Sequence, residues 1–214
     1  MKTVSVKTMR DFEAALFARG LSPDIAMENA GRLCAQQILN TYFEDFCERQ
    51  VTVFCGPGNN GGDGLVLARC LAGNKVPAVC YIIPPENGQY KNLVMRNLKR
   101  AFVCHTSVKE IENIDELKNI AAKTYVAVDA LLGLGADASR PQNPLFVDIC
   151  GIINTCGNIV SIDGPTGIDM DTGMPYLQNP VRAAETYALG FAKRGLTVAH
   201  AAPYVGKLTV LDIF

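Results

Sequence analysis

Five glycines fall within the nine residues Gly56-Pro57-Gly58-Asn59-Asn60-Gly61-Gly62-Asp63-Gly64. Without β-carbons, such a stretch lets backbone N–H groups approach a ligand closely. A helix starting behind it adds its positive N-terminal end, which favours phosphate. Tight turns use glycine too, but this stretch also carries two amides and a carboxylate and lies between a strand-like and a helix-like segment. The reading is a cradle for a phosphate-bearing, nucleotide-like ligand. Although Gly56, Gly58 and Gly61 keep the dinucleotide G-x-G-x-x-G spacing, the next strand ends in Ile82-Ile83-Pro84-Pro85, without the acidic residue that holds a ribose. An ordinary dehydrogenase is disfavoured.

Two more apolar runs end in aspartate. Asp129 precedes Ala130-Leu131-Leu132-Gly133-Leu134-Gly135, and Asp163 precedes Gly164-Pro165-Thr166-Gly167. Ligands of parallel sheets bind at the carboxyl ends of strands, so the three loops should meet on one edge. Each aspartate alone is as well suited to a turn or cap as to chemistry; convergence with the glycines tips both towards function. His105 and His200 stand apart from these loops and read as ordinary edge or core histidines. Lys193 reads either as a phosphate contact or as a surface lysine in a turn.

The elements that must position these residues follow from the apolar pattern. Ser22-Pro23-Asp24 begins a helix, hydroxyl cap first and then proline, with Ile38, Leu39, Tyr42, Phe43 and Phe46 as its stripe. Buried strands are expected at Val51–Cys55, Ala78–Ile83, Tyr125–Asp129 and Ile159–Asp163, and shorter ones at Thr186–Leu189, Leu196–Ala199 and Leu208–Ile213. Helices are expected at Leu65–Leu71, around Val94–Phe102, near Asp115–Ala122, and from Leu145 to Ile153. Continuous apolar strands alternating with helices predict an α/β fold: a three-layer, Rossmann-like, doubly wound and mostly parallel sheet with helices on both faces. No repeat or linker interrupts 1–214, which reads as one domain.

The chain has 214 residues, 49% of them hydrophobic, and 20 basic against 21 acidic side chains give a formal charge of −1. That balance offers no field for nucleic acid or an anionic membrane, and no apolar run approaches the ~18 residues of a membrane span. Eight cysteines are scattered without a C-x-x-C pair. They read as buried free thiols, which with the lack of an apolar leader points to a reducing cytoplasm. Met9, Phe12, Leu16 and Phe17 make an apolar face that suits either a homodimer or packing within the chain.

Met27-Glu28-Asn29-Ala30-Gly31, the GPGNNGGDG stretch, Val128 to Gly133, Ser161 to Gly167, and Ala192-Lys193-Arg194-Gly195 occur together and in order. In this the sequence resembles the YjeF N-terminal domain family, best known for NAD(P)HX epimerases. The resemblance implies a metabolite-repair isomerase that interconverts the (6R) and (6S) forms of hydrated NADH and NADPH. It implies substrate contacts from Asn59, Asn60, Gly61, Gly62 and Asp63, from Gly133, Leu134, Gly135, Ala136, Asp137, Ala138 and Ser139, and from Asp163, which is also the expected general acid/base. It further implies a potassium ion (K+) held by Asn60, Asp129 and Thr166. The segment 136–144 departs from the family by its length and by lacking a lysine. The same fold also serves noncatalytic scaffolds, but those lose the strand-end aspartates or loop amides that this chain keeps.

Overall fold

A computed structural model describes residues 2–42, 49–111, 113–136 and 143–214. In chain order these form β1 (Thr3–Val4), α1 (Val6–Ala18), α2 (Pro23–Tyr42), β2 (Gln50–Cys55), α3 (Asn59–Gly73), β3 (Ala78–Ile82), α4 (Asn92–Val103), β4 (Ser107–Glu110), α5 (Ile114–Ala121), β5 (Thr124–Ala130), α6 (Pro144–Ile153), β6 (Asn158–Ile162), β7 (Glu185–Leu189), β8 (Ala192–Lys193), α7 (Ala202–Val205) and β9 (Lys207–Leu211). Seven strands make one sheet in the order β4-β3-β2-β5-β6-β7-β9, every pair parallel. The chain enters at β2, builds outward through β3 and β4, then crosses back to β5 and builds the other way. β2 and β5 therefore flank the point where the winding reverses, the place where open α/β sheets bind ligands.

Strand side chains alternate between two cores. Val51, Val53 and Cys55 pack with Val126, Val128 and Ala130 beneath Ala30, Cys34, Ile38, Leu65 and Leu71 of α2 and α3. Phe54, Ala127 and Ile159 face the opposite way, against Leu117, Ile149 and Ile153 of α5 and α6. This is the doubly wound, three-layer arrangement expected from the apolar strands. A second, two-stranded pairing joins β1 to β8, with Thr3 opposite Ala192 and Val4 opposite Lys193. Phe12 of α1 packs edge-on to Phe191 and Phe214 at 5.2 and 5.4 Å between ring centroids, and Met9 is buried. Met9 and one side of the Phe12 ring are thus used within the chain, while Phe12 stays 37% exposed.

Three differences from the sequence reading have physical causes. The helix expected from Leu65 begins six residues earlier, at Asn59, so most of the glycine stretch is helix rather than loop. A β-carbon at Gly61 would lie 1.8 Å from the Gly56 carbonyl oxygen. The first turn of α3 is pressed onto the end of β2, and only small residues permit it. The expected strand at Leu196–Ala199 is instead a pair of 3-10 turns, Arg194–Thr197 and Ala199–Ala201, because β9 already occupies the edge of β7. Ser107–Glu110 forms an edge strand, exposed at every residue but the half-buried Val108. Phe43 and Phe46, placed on the stripe of α2, lie outside the described residues.

Candidate active site

The carboxyl ends of β2, β5 and β6 surround a cavity of about 310 Å³, at the lower end of the range for small-molecule sites. Asn59, Asn60 and Asp63 line it from the first turns of α3. Gly133, Leu134, Gly135 and Ala136 line it from the segment after β5, and Asp163 from the end of β6. All three loops named from the sequence reach the cavity. Gly61 and Gly62 do not line it: Gly61 faces the Gly56 backbone, and a β-carbon on Gly62 would meet the Met27 thioether at 2.7 Å. Asp137, Ala138 and Ser139 lie outside the described residues.

Asp163 is held firmly. It follows the last residue of β6 with φ +67°, a left-handed conformation that aspartate tolerates better than most residues. Its N–H donates to the Tyr187 carbonyl at 2.8 Å. Oδ2 accepts from the Leu134 N–H at 3.0 Å, and Oδ1 accepts a short charge-assisted bond from Lys193 Nζ. Lys193 also donates to the Leu189 carbonyl at 2.9 Å. The lysine is completely buried, which overturns the surface-turn reading of its sequence context; a lysine this deep requires a partner, and Asp163 is it.

Asn60 stands beside this pair. A β-carbon on Gly133 would lie 3.1 Å from Asp163 Oδ2 and 3.2 Å from Asn60 Cγ, so glycine there lets the two side chains close on one spot. Both polar atoms of the Asn60 side chain are buried without a hydrogen-bond partner. An amide in that state costs about 1–3 kcal/mol until something fills its valences. Asp63, also buried, has its carboxyl pushed well above the usual range, first by burial and then by the negative charges of Asp163 and Glu13, with Lys193 opposing.

Asp129 does not line the cavity. It is fully buried and accepts four protein bonds: at Oδ1 from the Leu131 N–H (3.2 Å) and Thr166 Oγ1 (2.7 Å), at Oδ2 from Ser161 Oγ (2.9 Å) and the Thr166 N–H (2.8 Å). Thr166 Oγ1 in turn accepts from the Leu132 N–H at 3.1 Å. Burial raises the Asp129 carboxyl, opposed by those bonds. The carboxylate staples the segment after β5 to the segment after β6. Asp129 and Thr166 are therefore brought together, while Asn60 points towards Asp163 and Gly133.

Residues that sequence reasoning missed complete the walls. α1 supplies Glu13 and Phe17, and α2 supplies Pro23, Ala26, Met27 and Ala30. Glu13 sits four residues after Met9 and four before Phe17, an acid inside an apolar helical stripe. That spacing was the available signal. Its carboxyl is raised, chiefly by burial and next by Asp163, with Lys193 and Arg10 opposing.

Comparisons with known proteins find relatives in both sequence and fold. The family model for the YjeF-related protein N-terminus matches residues 23–195. A protein of Elusimicrobium minutum named NAD(P)H-hydrate epimerase is 43% identical over 100% of this chain and 96% of its own length. A bifunctional NAD(P)H-hydrate repair enzyme of Salinibacter ruber is 35% identical over 91% of this chain, which spans only 37% of that longer protein. The crystal structure of the yeast protein ynu0 superposes with a TM-score of 0.81 at 25% identity, covering 98% of this chain and 87% of the yeast one. Kinship in sequence along the whole chain and kinship in fold coincide: the chain belongs to the family of the YjeF-related protein N-terminus.

Proposed function

We propose that this chain is a metabolite-repair isomerase, an epimerase of hydrated NADH and NADPH that interconverts their (6R) and (6S) forms as a single domain in a reducing cytoplasm. The observation that carries the reading is the buried Asp163–Lys193 pair at the floor of the switch-point cavity, with the unpartnered Asn60 amide beside it. The hydroxyl of the hydrated ring sits on the carbon next to nitrogen. Its departure is driven by the nitrogen lone pair and needs a proton; water returning to the opposite face must lose one. A fixed carboxyl group lining the cavity supplies such transfers, typically worth 10²–10⁴-fold, and holding the ring between the α3 and Gly133–Ala136 walls supplies orientation. Lys193 fixes Asp163 in place, and the α3 N-terminus offers N–H groups to phosphate. The free thiols of the seven described cysteines suit the compartment.

Potassium belongs to the same proposal. The donor set of Asn60, Asp129 and Thr166 is amide, carboxylate and hydroxyl oxygen, right for a hard cation. Asp129 is buried, and among the described residues no lysine or arginine pairs with it. Because its carboxylate already accepts four protein bonds, the Asn60 oxygen is the one of the three left without a partner. A bound cation would supply charge balance between the carboxylate and the ligand phosphates.

Incubating the protein with pure (6R)-NADHX and following the (6S) form by chromatography tests the reaction. Conversion above the rate without protein is expected, and Asp163→Asn, which tolerates the same φ, should lose 10²-fold or more. A folded wild type that leaves the epimer ratio at the uncatalysed rate would favour the scaffold reading instead.

A further inference from the structure

Glu13 lies on α1, ahead of the stretch matched by the family, yet it lines the same cavity as Asp163. Its helix is fixed there by several contacts, two of which reach residues of the site. β1, just before α1, pairs through Val4 with Lys193 itself. The Val6 N–H donates to Asp171 Oδ1 at 3.0 Å. Arg10, one turn before Glu13 on the same side of the helix, donates to the Leu134 carbonyl. The Leu134 N–H is the group that donates to Asp163 Oδ2. One residue of the ligand wall is thus gripped from the α1 side by its carbonyl and from the β6 side by its N–H.

The two carboxyl groups differ in what surrounds them. Both oxygens of Asp163 are engaged as acceptors, by Lys193 and by the Leu134 N–H. Glu13 is half-buried and makes no hydrogen bond or ion pair among the described residues. We propose that Glu13 is the second catalytic residue of the epimerisation, the proton donor that works with Asp163 as acceptor; this rests on the epimerase reading above. Glu13 gives its proton to the ring hydroxyl, the C–O pair leaves with the departing water, and the nitrogen lone pair closes the N=C bond. A water then adds to that carbon from the Asp163 side, the N=C pair returns to nitrogen, and the water's proton passes to Asp163. One water leaves and one enters, and solvent returns the proton from Asp163 to Glu13. In the reverse direction the roles exchange.

The charged groups around Glu13 are consistent with a held proton. Burial and the Asp163 charge raise its carboxyl, and only Arg10 and Lys193 pull the other way; Asp63, the other acid in the cavity, is itself raised. The reaction then needs one group protonated and one ionised, which gives a bell-shaped rate profile with pH.

The test compares wild type, Glu13→Gln and Glu13→Asp with (6R)- and (6S)-NADHX across pH 5–9, alongside melting temperatures and the affinity for NADH as a substrate-shaped ligand. Glu13→Gln should melt and bind NADH like wild type, lose 10²–10⁴-fold in kcat in both directions, and lose one limb of the pH profile. Glu13→Asp should recover part of the rate and the missing limb. A folded Glu13→Gln within about 3-fold of wild type, or one that loses rate with both limbs intact, overturns the proposal while leaving the epimerase reading standing. A wild type that does not epimerise overturns both.

Discussion

Replacing Lys193 with methionine isolates the pair at the centre of the site. Methionine retains most of the aliphatic stem and adapts to the space, but it removes the ammonium that donates to Asp163 and to the Leu189 carbonyl. The Asp163 carboxylate, 5% exposed, then keeps one protein donor, the Leu134 N–H. Removing one partner from a buried ion pair costs about 3–5 kcal/mol. Against a total of about 5–15 kcal/mol for a domain, the variant should still fold, with its urea midpoint lowered by more than about 1 M at a slope near 3 kcal/mol/M. A stranded carboxylate is relieved by taking up a proton, whereas unfolded aspartate remains ionised above pH 5. The folded variant therefore binds more protons than its unfolded chain, and its stability falls as pH rises. Urea unfolding by circular dichroism at pH 5, 6.5 and 8 should show the smallest deficit at pH 5. Adding Asp163→Asn should restore part of the loss at pH 8, since no charge is then left behind. A deficit below about 1 kcal/mol, one that is flat with pH, or strict additivity in the double variant would refute the reasoning.

Gly61→Val should destabilise by about 1–3 kcal/mol or more, because its β-carbon meets the Gly56 carbonyl; a melting curve like that of wild type would mean that α3 lifts freely off β2. Potassium should raise the melting temperature more than a bulky organic cation at equal ionic strength, and Asn60→Ala should abolish the difference; an equal response in both proteins removes the cation from this place. Asp63 has a folded carboxyl raised by burial, so its contribution to stability is present below the unfolded value of about 3.9 and is lost as pH rises through the folded one. Asp63→Asn should accordingly raise the melting temperature at pH 8, and the gain should shrink towards pH 5; a constant difference would mean that the carboxyl titrates normally.

The central sheet was legible because its strands are buried on both faces and so appear as unbroken apolar runs, as in Val51–Cys55. Ser107–Glu110 escaped for the converse reason: an edge strand exposed at all but Val108 carries no such run. The start of α3 was hidden by composition. Asn59 to Gly64 has poor intrinsic helix preference, and its helical state comes from packing against β2 and β5, where a β-carbon on Gly64 would stand 2.7 Å from the Ala130 methyl. For the site, the residues at strand ends could be read because topology sends them to one edge. Glu13 and Lys193 could not be placed that way, since their approach depends on how α1 and β8 fold back over that edge.

The pairing of Thr3–Val4 with Ala192–Lys193 has a consequence for the order of assembly. Its two partners come from nearly opposite ends of the sequence, and synthesis at ~5–20 residues per second leaves the earlier one waiting. Until β8 has emerged, β1 has no edge to join, and α1 lacks the Phe191 and Phe214 rings against which Phe12 rests. Most of the central sheet can form in that interval, with the cavity open on one side. β1 and α1, although made long before their partners, are thus among the last elements to dock, and a nascent chain stalled before Lys193 should show a folded sheet by protease protection and an α1 that is still cut.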